Sequence, residues 1–192
     1  MRPPFQARLI DETSRSAARD LVRSRVRWLS RHALTGATAL NPLLAALTPE
    51  GDSRVVGFFE GTELIGCLTA DPAPAAWDHQ AVPGPALTVT AACGTPGRGD
   101  VARLMTLWAR RRAHRAGLPW VRCRIETAGP DTEAGTALVR HLITPCRWNV
   151  VTSVPTDTDG RLALMRIHAA PLDGLDAYLH DTVPHPPRNH PA

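Results

Sequence analysis

The sequence predicts an α/β fold in which one mixed sheet of about seven strands carries helices on both faces. Three stretches predict it. "SRVVGFFEGTELIGCLTA" places two β-rich apolar runs, Val55–Phe59 and Leu64–Ala70, around Glu60-Gly61-Thr62, the pattern of an antiparallel hairpin. "LTVTAACGTPGRGDVARLM" runs from a strand through a glycine turn into a helix, with apolar residues Val101, Leu104, Met105 and Trp108 on one face. "WVRCRIE", Trp120 to Glu126, then alternates as a strand.

The other elements follow in order. "FQARLI", residues 5 to 10, is short and apolar and forms a first strand. Asp11 or Thr13 caps a helix in which Ala18, Leu21, Val22, Val26 and Leu29 keep a helical period to about His32, and Gly36 ends that region. Asn41-Pro42 opens a shorter helix, "NPLLAAL", with proline at a first helical position. "DPAPAAWDHQAVPGPA", residues 71 to 86, has no period and is expected to be a long loop. Gly117 stops the helix that follows the glycine turn, after "RRRAHRA", whose cations suit a helix C-terminus. "DTEAGTALVRHLI" is a helix capped by Asp131 or Thr132. "WNVVTSV" and "LALMRIHA" are strands joined by "PTDTDG". The chain divides into one domain, residues 1–170, and a C-terminal extension, 171–192, expected to be disordered because "PHPPRNHPA" is too rich in proline and histidine to pack.

Composition narrows the function. The 192 residues suit one domain with a substantial core, and 43% apolar with 21% charged residues is ordinary for a globular protein. No apolar run approaches the roughly 20 residues that cross a bilayer, so no membrane partner is expected. "MRPPFQARLIDETSR" has no apolar leader, and the expected compartment is the cytoplasm. The formal net charge of +4 is carried by arginine alone, since the chain has no lysine. With abundant Ala, Pro and Gly this fits a GC-rich genome, and acids alternate with the arginines over most of the chain. No nucleic-acid partner is expected. Cys67, Cys93, Cys123 and Cys146 are far apart, without zinc spacing, and are expected to be buried thiols rather than metal ligands.

The turn "GTPGRG" admits two readings. It is an ordinary turn, or a cradle for an anion, because the first N–H groups of a helix have no internal partner and the helix dipole is positive there. Arg98 would add charge-assisted bonds in the second case. The Walker pattern is excluded for want of lysine, and the Rossmann spacing is absent.

On these residues the chain resembles the GNAT superfamily of acetyl-CoA-dependent N-acetyltransferases. The family's central motif has the form Gln/Arg-x-x-Gly-x-Gly/Ala, followed by two apolar residues. Gly97-Arg98-Gly99 and Leu104-Met105 match its glycine and apolar parts, while Pro96 stands at the Gln/Arg position and Val101 at the final Gly/Ala. "VTAACG", "RRRAHRAGLPWVRCRIE" and "FFEGTELIGCLTA" resemble the flanking strands, helix and hairpin, and the element order agrees from about residue 7 to 169. The resemblance implies acetyl-CoA as co-substrate, its pyrophosphate on the N–H groups of Gly97, Arg98, Gly99, Asp100, Val101 and Ala102. It implies a pantetheine arm along the backbone of Val89, Thr90 and Ala91, where the fourth and fifth strands splay apart. The acceptor would be an amine of a small molecule or a protein amino group, entering past the first two helices.

Glu126, at the end of the fifth strand, is the candidate catalytic base by that analogy, against the alternative of a solvated strand-end acid. Glu63, Thr90, Cys93, His114 and His141 are weaker candidates, better read as turn, packing or surface residues. Arg110-Arg111-Arg112 is either a solvated helix end or reaches the adenosine 3′-phosphate. The usual family tyrosine is missing, because the only tyrosine, Tyr178, lies past the last strand, so the general acid is unassigned. The competing function is a GNAT-fold binding or regulatory module with weak or no acyl-CoA catalysis. A homodimer is compatible with either.

Overall fold

The computed structural model describes residues 3–32, 38–48, 54–71, 84–127, 133–156 and 160–184. Gly36, the body of the expected loop over 71–86, the caps Asp131 and Thr132, and the end of the tail lie outside the described residues.

Asp11 starts the first helix. Its carboxylate accepts from the Ser14 N–H at 2.9 Å, and the Ser14 hydroxyl accepts from the Asp11 N–H at 3.1 Å, a reciprocal capping box. The hydrogen bonds from the Ser14 and Thr13 hydroxyls hold this exposed carboxylate well below its usual range. Strand β1, Phe5–Leu9, precedes it; helix α1, Glu12–Arg31, follows and turns Ser14, Ala18, Val22 and Leu29 inward. Helix α2 is Asn41–Ala46, strand β2 Val55–Glu60, β3 Glu63–Asp71 and β4 Ala86–Gly94. Helix α3 is Gly99–Arg115, strand β5 Trp120–Thr127, helix α4 Glu133–Ile143, and strands β6 and β7 are Asn149–Pro155 and Arg161–His168.

These strands form one mixed sheet in the order β6-β7-β5-β4-β3-β2-β1, extended at its far edge by β8, Leu179–Asp181. Strands β1 to β4 are antiparallel neighbours, β5 runs parallel to β4, and β7 lies between β5 and β6, antiparallel to both. Helices α1 and α2 cover one face, burying Val22, Leu43 and Leu47 against Val55, Phe59 and Cys67. Helices α3 and α4 cover the other, where Trp108 meets Phe58 edge-on at 5.7 Å.

Two bulges break the alternation of the central strands β3 and β4. In β3, Phe58 faces Gly66 and Phe59 faces Leu64, leaving Ile65 as an extra residue. In β4, Thr69 faces Ala91 and Ala70 faces Val89, leaving Thr90 as the extra residue. Parity therefore switches. Leu87 and Val89 pack with the α3 face, but Ala91 and Cys93 pack with α1 and α2.

The C-terminal extension corrects the expectation of disorder from residue 171. The chain is folded as far as Pro184. After a 3-10 turn at Leu175–Ala177, β8 pairs in parallel with β1, Phe5 opposite Leu179 and Ala7 opposite Asp181, making the sheet eight-stranded. The end of α3 holds it there. Arg111, 2% exposed, forms ion pairs with Asp176 and, at 3.7 Å, with Asp181, which is 3% exposed. Arg112 donates to the carbonyls of Val183, at 2.9 Å, and Pro184. Composition misled over 171–184 because it describes the segment alone and not the buried Arg111 and Arg112 that hold it. The same contacts correct the reading of Arg110-Arg111-Arg112. Arg111 and Arg112 are buried against the tail and Arg110 donates to the His168 carbonyl at 2.9 Å, about 18 Å along the helix from the glycine turn.

Removing one partner of a buried ion pair strands the other charge. Asp181→Ala is expected to lower the unfolding free energy by about 3 kcal/mol, read from the urea midpoint at an unchanged m-value.

Candidate functional site

Strands β4 and β5 are joined for only a short way. The partners are Ala86 with Trp120, Leu87 with Val121, Thr88 with Arg122 and Val89 with Cys123. Beyond them β4 continues to Gly94 beside β3, while β5 continues to Thr127 beside β7. The parting begins where Thr90 bulges out of register. A bulge bends its own strand and adds twist, so β4 turns away from β5 and leaves main-chain groups of Thr90 and Ala91 without a β5 partner. The Thr90 hydroxyl lies 2.7 Å from that of Thr69 on β3, which ties the bulged residue to the neighbouring strand.

The glycine turn stands at the open end. Thr95 anchors it, its N–H and hydroxyl both donating to the Ile65 carbonyl, at 2.9 and 3.0 Å. Gly97 has φ +82°, and nothing lies within 4 Å of where its Cβ would be. The N-terminus of α3 has no side-chain cap from Arg98, its N-cap residue. Val101, which stands where the family motif has a small residue, points the other way. It is 1% exposed and fills the space over two glycines, its Cγ1 lying 2.7 Å from a Cβ built on Gly66 and 3.2 Å from one built on Gly94. The branched side chain is thus accommodated inside the sheet and leaves the mouth of the turn open.

Charge at the turn is locally balanced. Arg98 binds the Asp100 carboxylate, at 2.6 Å from Nη2, and Glu60 of β2 at 3.0 Å. The Arg98 hydrogen bonds hold Asp100 below its ordinary value, with lesser help from the N–H groups of Asp100 itself and Val101. Glu60 was not legible as a site residue, because it lies 38 positions from Arg98 and only the sheet brings them together. His141 of α4 was read as a surface or packing residue. It places its Nε2 at 3.1 Å from the Gly99 carbonyl, and its ring 3.2 Å from where a Gly99 Cβ would sit.

Glu126 is exposed and pairs in register with Leu162 of β7, three residues beyond the last β4 partner on β5. Val121, Cys123 and Ile125 pack toward α3 and α4, so alternation turns Glu126 to the opposite side, the face α1 and α2 cover on β4. Tyr178 is exposed beside β8, whose strand lies four positions from β4 in the sheet, about 19 Å away, and it contributes nothing to this region. Among the described residues no group of three His, Cys, Asp or Glu is placed to hold a metal ion. Among them, too, no helix is long and apolar enough to cross a membrane.

On the α1 side of the parted half of β4 stand Cys93 and, opposite it on β3, Cys67. All four cysteines are free and buried, as the composition implied. Burial pushes the Cys93 thiol up to about 11 against the opposing pull of Arg25, Cys123 to about 12, and Cys67 higher still. Arg25 itself is half-buried, and that burial lowers its pKa from the ordinary value.

Solved structures share this fold. The GNAT-family acetyltransferase of Listeria monocytogenes matches with a TM-score of 0.61 at 15% identity, over 85% of this chain and 94% of that one. The Salmonella typhimurium acetyltransferase yncA, solved with its cofactor acetyl-CoA, matches with a TM-score of 0.54 at 12% identity, over 89% and 97%. The aminoglycoside 6′-N-acetyltransferase of Enterococcus faecium matches with a TM-score of 0.51 at 11% identity, over 86% and 97%. No family sequence profile matches the chain, and no curated protein matches it in sequence. The protein thus shares the fold of these GNAT-family acetyltransferases.

The raised thiols fix a pH dependence. A folded-state pKa above the unfolded value means the thiols stay protonated in the fold while the unfolded chain ionises near 8.5. Their contribution is complete below about pH 8.5 and is lost as pH rises toward about 11 at Cys93 and about 12 at Cys123. Urea titrations should show stability falling by a few kcal/mol between about pH 8 and 10.5. Cys93→Ala should flatten part of that slope.

Proposed function

We propose that this protein is an N-acetyltransferase moving an acetyl group from acetyl-CoA to an amine. The observation that carries the reading is the parting of β4 from β5 after Val89 and Cys123, with the open glycine turn at its end. The residues fit the cofactor. The turn offers the N–H groups of Gly97 and Gly99, the positive end of the α3 dipole and open space at Gly97, while the N–H groups of Arg98 and Val101 already donate to the carbonyls of Thr95 and Arg98. Val101 is out of the way. Thr90 and Ala91 offer main-chain groups that no β5 partner uses.

Acetyl-CoA, when bound, supplies an acetyl group activated as a thioester. The chain's part is to hold and orient it, and to manage protons. Main-chain N–H groups at the Thr90 bulge are suited to the oxygen on which charge develops. Glu126 takes the proton of the incoming ammonium, directly or through water, on the side opposite α3. Water is suited to return a proton to the leaving thiolate, since the one tyrosine is remote. Asp100 works against tight binding, because its carboxylate competes with a diphosphate for the amides of Asp100 and Val101. That competition is the observation favouring a second reading, a module that binds acyl-CoA weakly and has no catalytic role.

Acetyl-CoA at a hundredfold excess over its Kd should stabilise the fold by roughly 2.7 kcal/mol, read as a thermal shift; no shift at millimolar cofactor favours the second reading. Asp100→Asn should tighten acetyl-CoA about two- to fivefold, since it removes a negative charge from the helix N-terminus. Glu126→Gln is expected to cut kcat by about a hundredfold or more in a thiol-release assay, with the thermal shift intact; unchanged turnover removes Glu126 as the base.

A further inference from the structure

Charge is concentrated on one helix. Helix α1 carries six arginines, Arg15, Arg19, Arg23, Arg25, Arg27 and Arg31, against two acids, Glu12 and Asp20. That balance of +4 equals the formal net charge of the entire chain, so all other residues together are neutral. Among the described residues, none of the six is paired with a carboxylate. Elsewhere Arg98 and Arg111 each bind two acids. What sets the α1 arginines apart is their concentration on one helix with only two acids beside them.

One of them is out of place for a solvated cation. At about 100° per residue, Ser14, Ala18, Val22 and Leu29 cover an arc of about 80° on the inner side of α1, and Arg25 falls within that arc. Its guanidinium lies over the Trp28 ring at 4.5 Å, and its charge is felt by the Cys93 thiol on the parted half of β4. A half-buried guanidinium with no acid partner retains donors in a planar fork that suits a carboxylate or phosphate. Glu126 and this segment of β4 belong to the same side of the sheet.

We propose that the acceptor is an anionic amine, carrying a carboxylate or phosphate close to its amino group, which Arg25 binds and the α1 arginines draw in. The inference rests on the acetyltransferase reading and adds the acceptor's class. Five further arginines along some 24 Å of helix raise the local concentration of negatively charged molecules and repel polycations. The charge-assisted pair with Arg25 would fix the acceptor's orientation.

The test compares matched acceptors by thiol release: β-alanine against propylamine, and tetraglutamate against tetralysine peptides with free amino termini, with a polycationic aminoglycoside as a further arm. The anionic member of each pair should have the higher kcat/KM. Arg25→Gln should raise KM for β-alanine at least about tenfold, with kcat changed less than about twofold and propylamine unaffected, and Arg25→Lys should recover part of the loss. Calorimetry should detect N-acetyl-β-alanine binding to the CoA-saturated wild type and not to Arg25→Gln. The triple variant R19E/R23E/R27E should lower kcat/KM for tetraglutamate and abolish its fall with added salt. Preference for neutral or cationic amines, or an equal effect of Arg25→Gln on all acceptors, overturns the anionic-acceptor proposal alone, whereas no turnover of any acceptor despite an acetyl-CoA thermal shift overturns the acetyltransferase reading with it. Absence of the thermal shift overturns the acetyltransferase reading, and this one with it.

Discussion

The candidate site depends on a single extra residue. Thr90 takes β4 out of register with β3, and from that point β4 and β5 no longer share hydrogen bonds. Main-chain groups inside a sheet are costly to leave unpaired, so such a gap persists only where flanking strands hold both edges. Here β3 holds β4 as far as Gly94, and β7 holds β5 along its full length. The same bulge moves Ala91 and Cys93 from the α3 face to the α1 face, so it opens the cleft and also assigns the residues that line it. The glycine turn, the buried Val101 and the exposed Glu126 are arranged around that one irregularity.

With no lysine in the sequence, arginine must serve every cationic role. The structure separates those roles by partner. Arg98 fastens the glycine turn to β2 through Glu60. Arg111 and Arg112 fasten the C-terminal segment to the end of α3. In each case the planar fork satisfies two acceptors at once, which a lysine ammonium does with less directional control. The arginines of α1 differ in being gathered on one helix, with Arg25 packed over the Trp28 ring rather than against a carboxylate.

The fold was largely legible because its signals are local. The hairpin turn at Gly61, the helix start capped by Asp11, one of the two candidates, and the apolar stripe from Val101 to Trp108 each lie within one short window. What escaped is what the tertiary structure decides. No window of sequence marks Thr90 as a bulge, joins Glu60 to Arg98, or brings His141 to Gly99. The sequence marks Val101 only as a departure from the motif, because its direction depends on the absence of side chains at Gly66 and Gly94, on β3 and β4. The tail was misread because composition describes a segment alone, whereas its order comes from Arg111 and Arg112 far back in the chain.

The seam between β1 and β8 joins nearly opposite ends of the chain, Phe5 beside Leu179. During synthesis the edge of β1 that β8 covers must therefore stay open until β8 has been made. Contacts of such sequence separation slow folding, and an open strand edge is a site for pairing with another molecule. A nascent chain carries that exposure until the short strand β8 closes over it.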